Sequence, residues 1–212
     1  MNRKPILIAV LLIVLFGMGP ATVLSEISIG VKQGDWVEYD ASYTGTPPEG
    51  HAASWARMDV EGVEGKRVDV LFTTKLGDGT MVNATENLDF ETGHLIDYFV
   101  IPSGLNNGDT FFDEIEGNIT ISSVEVRNHA GAARIVVSAT TVNTLWYWDQ
   151  STGVLVEAHS SYEGYTLTTI ASKTSLWEPQ IFGFDPVVFY VLVVAVAVVI
   201  VALLVFVLRK RK

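Results

Sequence analysis

The C-terminal end of the chain most constrains what it can form. Val187 to Leu208 is a run of 22 residues without a charge, a glycine or a proline, and half of them are valine. A helix of that length spans about 33 Å, slightly more than the roughly 30 Å hydrocarbon core of a bilayer. Valine is a poor helix former in water, but a bilayer offers the backbone no other hydrogen-bonding partner. We therefore predict one transmembrane helix over residues 187–208.

The charge pattern sets the predicted orientation. Residues 209–212 are all basic, so the positive-inside rule predicts a cytoplasmic tail and an extracytoplasmic location for the rest. All 24 acidic residues lie between Glu26 and Asp185, together with eight of the 14 basic ones, so this stretch carries a net charge of −16. Such a charge argues against nucleic-acid binding. The absence of cysteine excludes a disulfide scaffold, a zinc–thiolate site and a cysteine nucleophile.

Residues 1–25 have the composition of an export signal. Basic residues precede an apolar core from Ile6 to Phe16, which glycine and proline then break. We expect cleavage after Ala21 or Ser25, and the alternative is an uncleaved signal anchor over residues 6–24. In both cases the acidic segment lies outside the cytoplasmic membrane, as the bulk of a single-pass protein.

Residues 26–175 predict an all-β extracytoplasmic domain, joined to the membrane by a stalk over residues 176–186. Apolar and polar residues alternate in short segments, and turns rich in glycine, asparagine and aspartate separate them. Short turns favour antiparallel hairpins. About ten strands with one apolar face each, and no helix to cover them, predict an antiparallel sandwich or a barrel. The alternation runs through residues 36–43, 56–60, 67–76, 119–126, 134–139, 145–148, 154–159 and 165–170, with a phase slip at Ser122–Ser123 that suggests a bulge.

Several of these segments together suggest a family. They are Gly34–Tyr39, Ile101–Asp109, Gly131–Arg134 and Tyr147–Glu157. The chain resembles uncharacterised exported archaeal proteins that carry a β-rich ectodomain on a C-terminal membrane span. The resemblance implies this architecture and a cell-surface location, and it brings no catalytic residue. The Trp-Asp-x-x-Thr-Gly turn is also similar to one in lipoprotein-carrier-like half-barrels.

One pattern occurs twice in the chain. Residues 27–35 and residues 101–109 share the form I-x-x-G-[VL]-x-x-G-D. A duplicated module with paired acidic loops would produce such an echo. The alternative is that a Gly-Asp turn leading into a strand is a recurrent local solution, because turn chemistry alone accounts for the shared residues.

No sequence motif for catalysis or cofactor binding is present. Phosphate loops, the nucleophile elbow and the zinc-protease helix are all missing, so we predict no cofactor and no catalytic residue. A triad built on His159 with Ser160 or Ser161 is the one arrangement that the sequence offers a hydrolase. The histidines are dispersed, and none has a second histidine at ligand spacing: His51, His94, His129 and His159.

Two sets of residues are candidates for ion or glycan attachment. The densest group of carboxylates is a candidate calcium site, although Phe111 and Phe112 within it favour a strand with alternating faces. Two sequons predict glycosylation at Asn83 and Asn118, whose neighbours alternate so that both acceptors point outward. The calcium candidates are Asp109, Asp113, Glu114 and Glu116.

The tryptophans leave two interpretations open. Trp36, Trp55, Trp146 and Trp148 fall opposite the aliphatic residues of their strands, so they are either exposed for binding or packed by a second layer. Trp177 lies in the stalk, where we expect it at the membrane surface.

Three functions from different classes are compatible with the sequence. The first is a non-enzymatic ectodomain, anchored in the lipid bilayer, with a structural or recognition role toward a protein or glycan of the cell envelope. The second is a lipid or apolar-ligand binding protein with a cavity between curved sheets. The third is a hydrolase, which no motif supports.

Overall fold

The computed structural model describes residues 27–48 and 52–210, and these contain eleven strands and one helix. The signal segment expected over residues 1–25, His51 and the last two basic residues lie outside the described residues. The strands are β1 Trp36–Gly45, β2 Ala53–Glu64, β3 Arg67–Leu76, β4 Met81–Asp89, β5 Thr110–Asp113, β6 Gly117–Thr120, β7 Ser123–His129, β8 Ala132–Thr140, β9 Thr144–Asp149, β10 Leu155–Tyr162 and β11 Tyr165–Thr174.

Nine of the strands form one antiparallel sheet in the order β4-β3-β2-β1-β11-β10-β9-β8-β7, and β5 and β6 form a separate hairpin. The first and last strands pair at its centre, where Tyr39 lies opposite Ala56 on one side and Ala171 on the other. This pairing holds both ends of the domain in its middle. The prediction of an all-β domain with one C-terminal helix is confirmed.

One face of the sheet, the inner face, forms the core of the domain. Val37, Tyr39 and Met58 are fully buried there because a long connection lies across them. That connection, residues 90–122, includes the β5–β6 hairpin, and we call it the cover. Its own buried side chains include Leu95, Ile101 and Ile121, each 1% exposed or less. The sheet thus gains its second layer from the connection between β4 and β7, without a helix.

The phase slip at Ser122–Ser123 has a different cause from the predicted bulge. Ile119 and Ile121 are buried in the cover, whereas β7 begins at Ser123 as an edge strand of the large sheet. The pattern changes here because the chain passes from the hairpin to the sheet. The expectation of a bulge is wrong.

The β7–β11 half of the sheet curls strongly toward its other face, the outer face. Residues of β7 and β11 lie within 8 Å of each other although three strands separate them in the sheet. The guanidinium of Arg127 on β7 reaches Glu157 on β10, with Nη1 2.8 Å from Oε2. The same guanidinium lies 3.7 Å from the centre of the Tyr147 ring.

The first part of the stalk packs against this curled half. Trp177 is 9% exposed, and its Nε1 donates to the His129 carbonyl at 3.2 Å. The backbone N–H of Gln180 donates to the Gly131 carbonyl at 2.8 Å, and the Arg134 guanidinium lies 4.6 Å from the Trp177 ring centre. Trp177 is therefore part of the β domain, and the expectation that it rests at the membrane surface is wrong.

The C-terminal helix runs from Pro186 to Lys210, slightly longer than predicted. Asp185 caps it, because its Oδ1 accepts the backbone N–H groups of Val187 at 2.8 Å and Val188 at 3.4 Å. Proline at the first position has no N–H to satisfy and suits a helix start. None of its described side chains is buried, and the helix is long and apolar enough to cross a membrane.

Candidate functional site: an apolar cavity under the cover

An open cavity of about 340 Å³ lies between the cover and the inner face of β1, β2, β3, β4 and β11. Its size and mainly apolar lining are typical of sites for small organic ligands. The lining residues come from five strands and one loop: Tyr39, Ala41, Tyr43, Ala53, Ala56, Phe72, Thr74, Ala84, Glu86, Ile96, Asp97, Phe99, Leu167 and Thr169.

Small side chains on the inner face create the space. Ala41 on β1, Ala56 on β2 and Ala84 on β4 occupy inward positions in the same half of the sheet, where β3 lies between β2 and β4. At comparable positions on β9, the inner face carries Trp146 and Trp148, which fill the space under the cover. The cavity therefore exists because this half of the inner face carries small alanine side chains, whereas the other half carries tryptophan rings.

The loop that roofs the cavity has an unusual backbone. Ile96, Asp97 and Tyr98 all have positive φ, at 23°, 51° and 52°. Left-handed backbone costs about 1–2 kcal/mol for each residue with a side chain, and branched isoleucine tolerates it poorly. Such strain persists only where surrounding contacts enforce it, and it is concentrated at functional sites.

Hydrogen bonds and ring contacts hold this strained loop in place. Trp148 Nε1 donates to the Tyr98 carbonyl at 2.7 Å, and the N–H of Leu155 donates to the Phe99 carbonyl at 2.9 Å. The Phe99 ring lies 4.7 Å from that of Phe72, centre to centre. The loop thus presents Phe99 and Asp97 to the cavity from a fixed position.

Aromatic rings form much of the wall. Phe99 meets Tyr39 edge to face at 5.3 Å, and the lining residue Tyr43 lies 6.4 Å from the ring of Tyr165 outside the cavity wall. The Tyr39 hydroxyl donates to the Leu155 carbonyl at 3.1 Å. Burial raises the pKa of Tyr39 far above its usual value, so this residue stays neutral.

Two carboxylates are the charged groups of the lining. Asp97 lies at the exposed rim and Glu86 is half-buried beside it. Desolvation, and then the negative charge of Glu86, raise the pKa of Asp97. No lysine, arginine or histidine lines the cavity, and no ion pair joins either carboxylate to a cation in residues 27–48 and 52–210.

The four carboxylates of the candidate calcium site do not share one set of contacts. Asp109 Oδ2 accepts the N–H of Asn106 at 2.7 Å, and Asp113 Oδ1 accepts those of Ile115 and Glu116 at 3.0 and 2.8 Å. Glu114 pairs with His94, whose pKa this contact raises, and Glu116 is exposed. In the part of the chain that the structure describes, no group of three or more histidine, aspartate or glutamate side chains is arranged to hold a metal ion.

The sequon asparagines both lie on exposed strand positions. Asn83 on the edge strand β4 is exposed and pairs with Thr73 of β3. Asn118 on β6 is exposed, while its neighbour Ile119 is buried in the cover. The geometry leaves both side-chain amides accessible, as modification would require, and glycosylation stays a prediction.

The tryptophans divide between the two faces. Trp146 and Trp148 stack at 6.1 Å on the inner face, and Trp148 is fully buried. Trp36 and Trp55 lie half-buried on the outer face, and the Arg57 guanidinium covers Trp36 at 4.3 Å from the ring centre. The packing interpretation therefore holds for the β9 pair, while the other two take part in the outer surface.

The histidine triad suggested by the sequence uses Ser160 or Ser161. Ser161 lies on the same face of β10 as His159, but no hydrogen bond joins the two side chains in the described part of the chain. Ser160 lies on the opposite face of β10 from His159, and its hydroxyl accepts from Thr144 Oγ1 at 2.9 Å. His159 instead contacts Glu157 through Nε2 and Thr168 Oγ1 through Nδ1 at 3.2 Å. This group lies on the outer face with its histidine exposed to water.

His129 is the buried histidine of the curled half. It is 5% exposed, and neither ring nitrogen has a hydrogen-bond partner among the residues that the structure describes. Its Nε2 lies 3.5 Å from Glu157 Oε2. Burial lowers the pKa of His129, and the charge of Glu157 opposes this only in part.

Three of the four segments that carried the family resemblance meet at one turn. Asp149 is 1% exposed; its Oδ2 accepts from Arg134 Nε at 2.7 Å, and its Oδ1 accepts the Thr152 N–H at 2.9 Å. Burial alone would raise the pKa of Asp149, but Arg134 and the turn hydroxyls hold it below its usual value. Gly153 completes the turn at φ 73°, where a Cβ would collide with the Ile101 carbonyl. The motifs are therefore structural.

The repeated Gly-Asp pattern is also turn chemistry. Asp35 Oδ2 accepts the N–H of Lys32 at 2.9 Å, as Asp109 does that of Asn106 at 2.7 Å. The two loops are neighbours, since the N–H of Ser103 donates to the Ser28 carbonyl at 2.8 Å. Each carboxylate closes its own turn, which favours the recurrent-turn interpretation.

Sequence reasoning missed the cavity-lining residues. The only sequence signal was a set of alanines at inward positions of β1, β2 and β4, and alanine is compatible with any buried surface. The chain matches no protein-family model, and it matches no curated protein. The site must therefore be interpreted from its own geometry.

Proposed function

We propose that this protein is a membrane-tethered, extracytoplasmic binding protein that holds the apolar part of a small amphiphile in the cavity under the cover. The single observation that carries the proposal is the open, mainly apolar cavity of about 340 Å³. Burying hydrocarbon there is favourable by about 25 cal/mol for each Å² removed from water. The strained roof loop supports the same interpretation, because it fixes aromatic side chains over empty space.

The position of the cavity suggests how a ligand enters. The cavity is lined by Leu167 and Thr169 at the start of β11, whereas the stalk leaves the sheet after Thr174 at the end of that strand. At about 3.3 Å per residue, these points are roughly 20 Å apart. In the proposed orientation, with Arg209 and Lys210 on the cytoplasmic side, the ligand enters from the extracytoplasmic space, at the end of the sheet distant from the tether.

The geometry gives less support to the other two hypotheses, a hydrolase and a structural role in the cell envelope. Among the described residues, the cavity lining contains no histidine or lysine beside its hydroxyl groups, so the geometry offers less support for a hydrolase than for a binding protein. A purely structural role in the envelope would not require a cavity. A well-packed second layer over the whole inner face would serve it better.

Photo-cross-linking on the full chain in lipid nanodiscs tests this proposal. The probe is a decyl maltoside with a diazirine in its alkyl chain, and mass spectrometry of the digested protein locates the cross-links. We expect labelling of the peptides that contain Phe72 and Phe99. Labelling of the helix Pro186–Lys210 reports probe dissolved in the bilayer and serves as the internal reference.

Two adjacent residues of β1 supply a matched pair of variants. Ala41→Trp puts a large ring into the cavity, whereas Ser42→Trp puts the same ring on the outer face, because neighbouring strand residues point to opposite faces. We expect Ala41→Trp to abolish cavity labelling and Ser42→Trp to leave it unchanged. Labelling confined to the helix, or cavity labelling that survives Ala41→Trp, would overturn the proposal.

A further inference from the structure

The rim of the cavity has unbalanced negative charge. Asp97 and Glu86 are close enough for Glu86 to influence the titration of Asp97. His94, a basic side chain on the roof loop, is paired with Glu114, and the charge of Glu86 acts on it more weakly. The rim therefore has two carboxylates and no cation of its own in the described residues, in a stretch of chain whose net charge is −16.

Aromatic side chains line the same cavity as these carboxylates. Phe99, Phe72 and Tyr39 pack at inclined angles, with interplanar values of 55° for Phe72–Phe99 and 70° for Tyr39–Phe99. Faces of aromatic rings attract ammonium groups, and quaternary ammonium ligands are commonly bound among several rings. Phe99 is the partly exposed ring of the three and lies on the same loop as Asp97, so it is the ring that an ammonium group at the rim would meet.

We infer that the ligand of this cavity is a cationic amphiphile, whose ammonium group lies at the rim between Asp97, Glu86 and the Phe99 ring. The inference rests on the proposed function and adds the chemical class of the ligand. An anionic head group would meet two carboxylates and would be repelled. A neutral head group would gain no charge attraction from either carboxylate.

Three probes with the same diazirine-containing decyl chain test the inference, again on the full chain in nanodiscs. Their head groups are trimethylammonium, maltoside and sulfate. We expect cavity labelling to decrease from the cationic to the neutral to the anionic probe. Each carboxylate that pairs with the head group should change the labelling about fivefold. Labelling of the membrane helix normalises each probe for its partition into the bilayer.

Matched charge variants separate the rim from the general acidity of the domain. Asp97→Asn with Glu86→Gln removes the rim charges, and asparagine tolerates the left-handed backbone at position 97. Asp40→Asn with Glu61→Gln removes the same charge from exposed positions that do not line the cavity. We expect only the first pair to eliminate the preference for the cation.

The outcomes distinguish the two proposals. Equal cavity labelling by all three probes would overturn the cationic ligand and leave the binding function intact. A cation preference that survives in the Asp97→Asn, Glu86→Gln variant would also overturn the inference, because bulk charge would then be its cause. Absence of cavity labelling by any probe would overturn both proposals.

Discussion

The two halves of the inner face share one cover but are filled differently. Under one part of the cover, Trp146 and Trp148 pack against Tyr98 and Phe111 at centre distances of 5.2 and 5.8 Å. Under the other part, alanines leave a cavity of about 340 Å³. Aromatic side chains therefore fill the space under one part of the cover, whereas under the other part Phe99 packs on Tyr39 and Phe72 beside open space.

The largest expected effect comes from removing Trp148, the buried ring that holds the cover in place. Trp148→Ala removes a fully buried ring and the hydrogen bond to the Tyr98 carbonyl, and we expect it to lower the free energy of unfolding by about 4 kcal/mol. Phe99→Ala, at the cavity wall, should cost only about 2 kcal/mol, because that ring already borders space. Urea unfolding of the full chain in detergent micelles, followed by circular dichroism, measures both. Equal losses of unfolding free energy in the two variants would contradict the difference between a packed half and an open half.

The turn that joins the resemblance motifs gives the next effect. Asp149→Ala leaves the Arg134 guanidinium without its carboxylate, and the N–H of Thr152 without its acceptor. Breaking a buried ion pair costs about 3 kcal/mol or more. The matched control is Glu125→Ala, which removes an exposed partner of Arg127 and should cost less than about 1 kcal/mol. Similar losses in the two variants would refute a structural role specific to this turn.

Replacing an alanine by leucine in each half of the inner face tests directly whether one half is packed and the other is open. Ala139→Leu enlarges a fully buried position opposite Trp146, and overpacking there should cost about 1–3 kcal/mol. Ala56→Leu enlarges the cavity wall, where space exists, and should be neutral or stabilise by about 1 kcal/mol. If both variants are destabilised alike, the cavity is not open space.

The smallest effect concerns pH and lies in the curled half. Because burial lowers the pKa of His129 in the folded state, the unfolded chain binds this proton more readily, and stability falls as pH decreases below about 6.5. Glu157, Arg127 and Asp149 set the field around the ring. His129→Gln should flatten the unfolding free energy between pH 6.5 and 5.5. An unchanged slope would show that His129 does not titrate differently in the two states.

His94 on the cover provides a control of opposite sign. Glu114 raises its pKa in the folded state, so its contribution is present below about pH 6.5 and is lost as pH rises through the raised value. The pair is exposed, so the contribution is small. His94→Gln should therefore change the slope above pH 6.5 and leave the His129 region unaffected.

Much of the strand pattern was predictable because it depends on local chemistry. The alternation predicted β3 over residues 67–76, where the strand lies, and the inward positions of β1. Trp146 and Trp148 were ambiguous, since alternation separates two faces without saying which one is covered. The role of Trp177 was missed because its partners, His129 and Arg134, are more than 40 residues away in the chain.

By itself the sequence determined an apolar helix of membrane-spanning length, an acidic all-β domain and the turns between its strands, because periodicity, charge and glycine act over a few residues. Only the tertiary structure decided what fills the inner face. Which alanines face tryptophan and which face a cavity depends on how residues 90–122 cross the sheet. That path is set by long-range contacts, such as Trp148 with Tyr98, which no local pattern encodes.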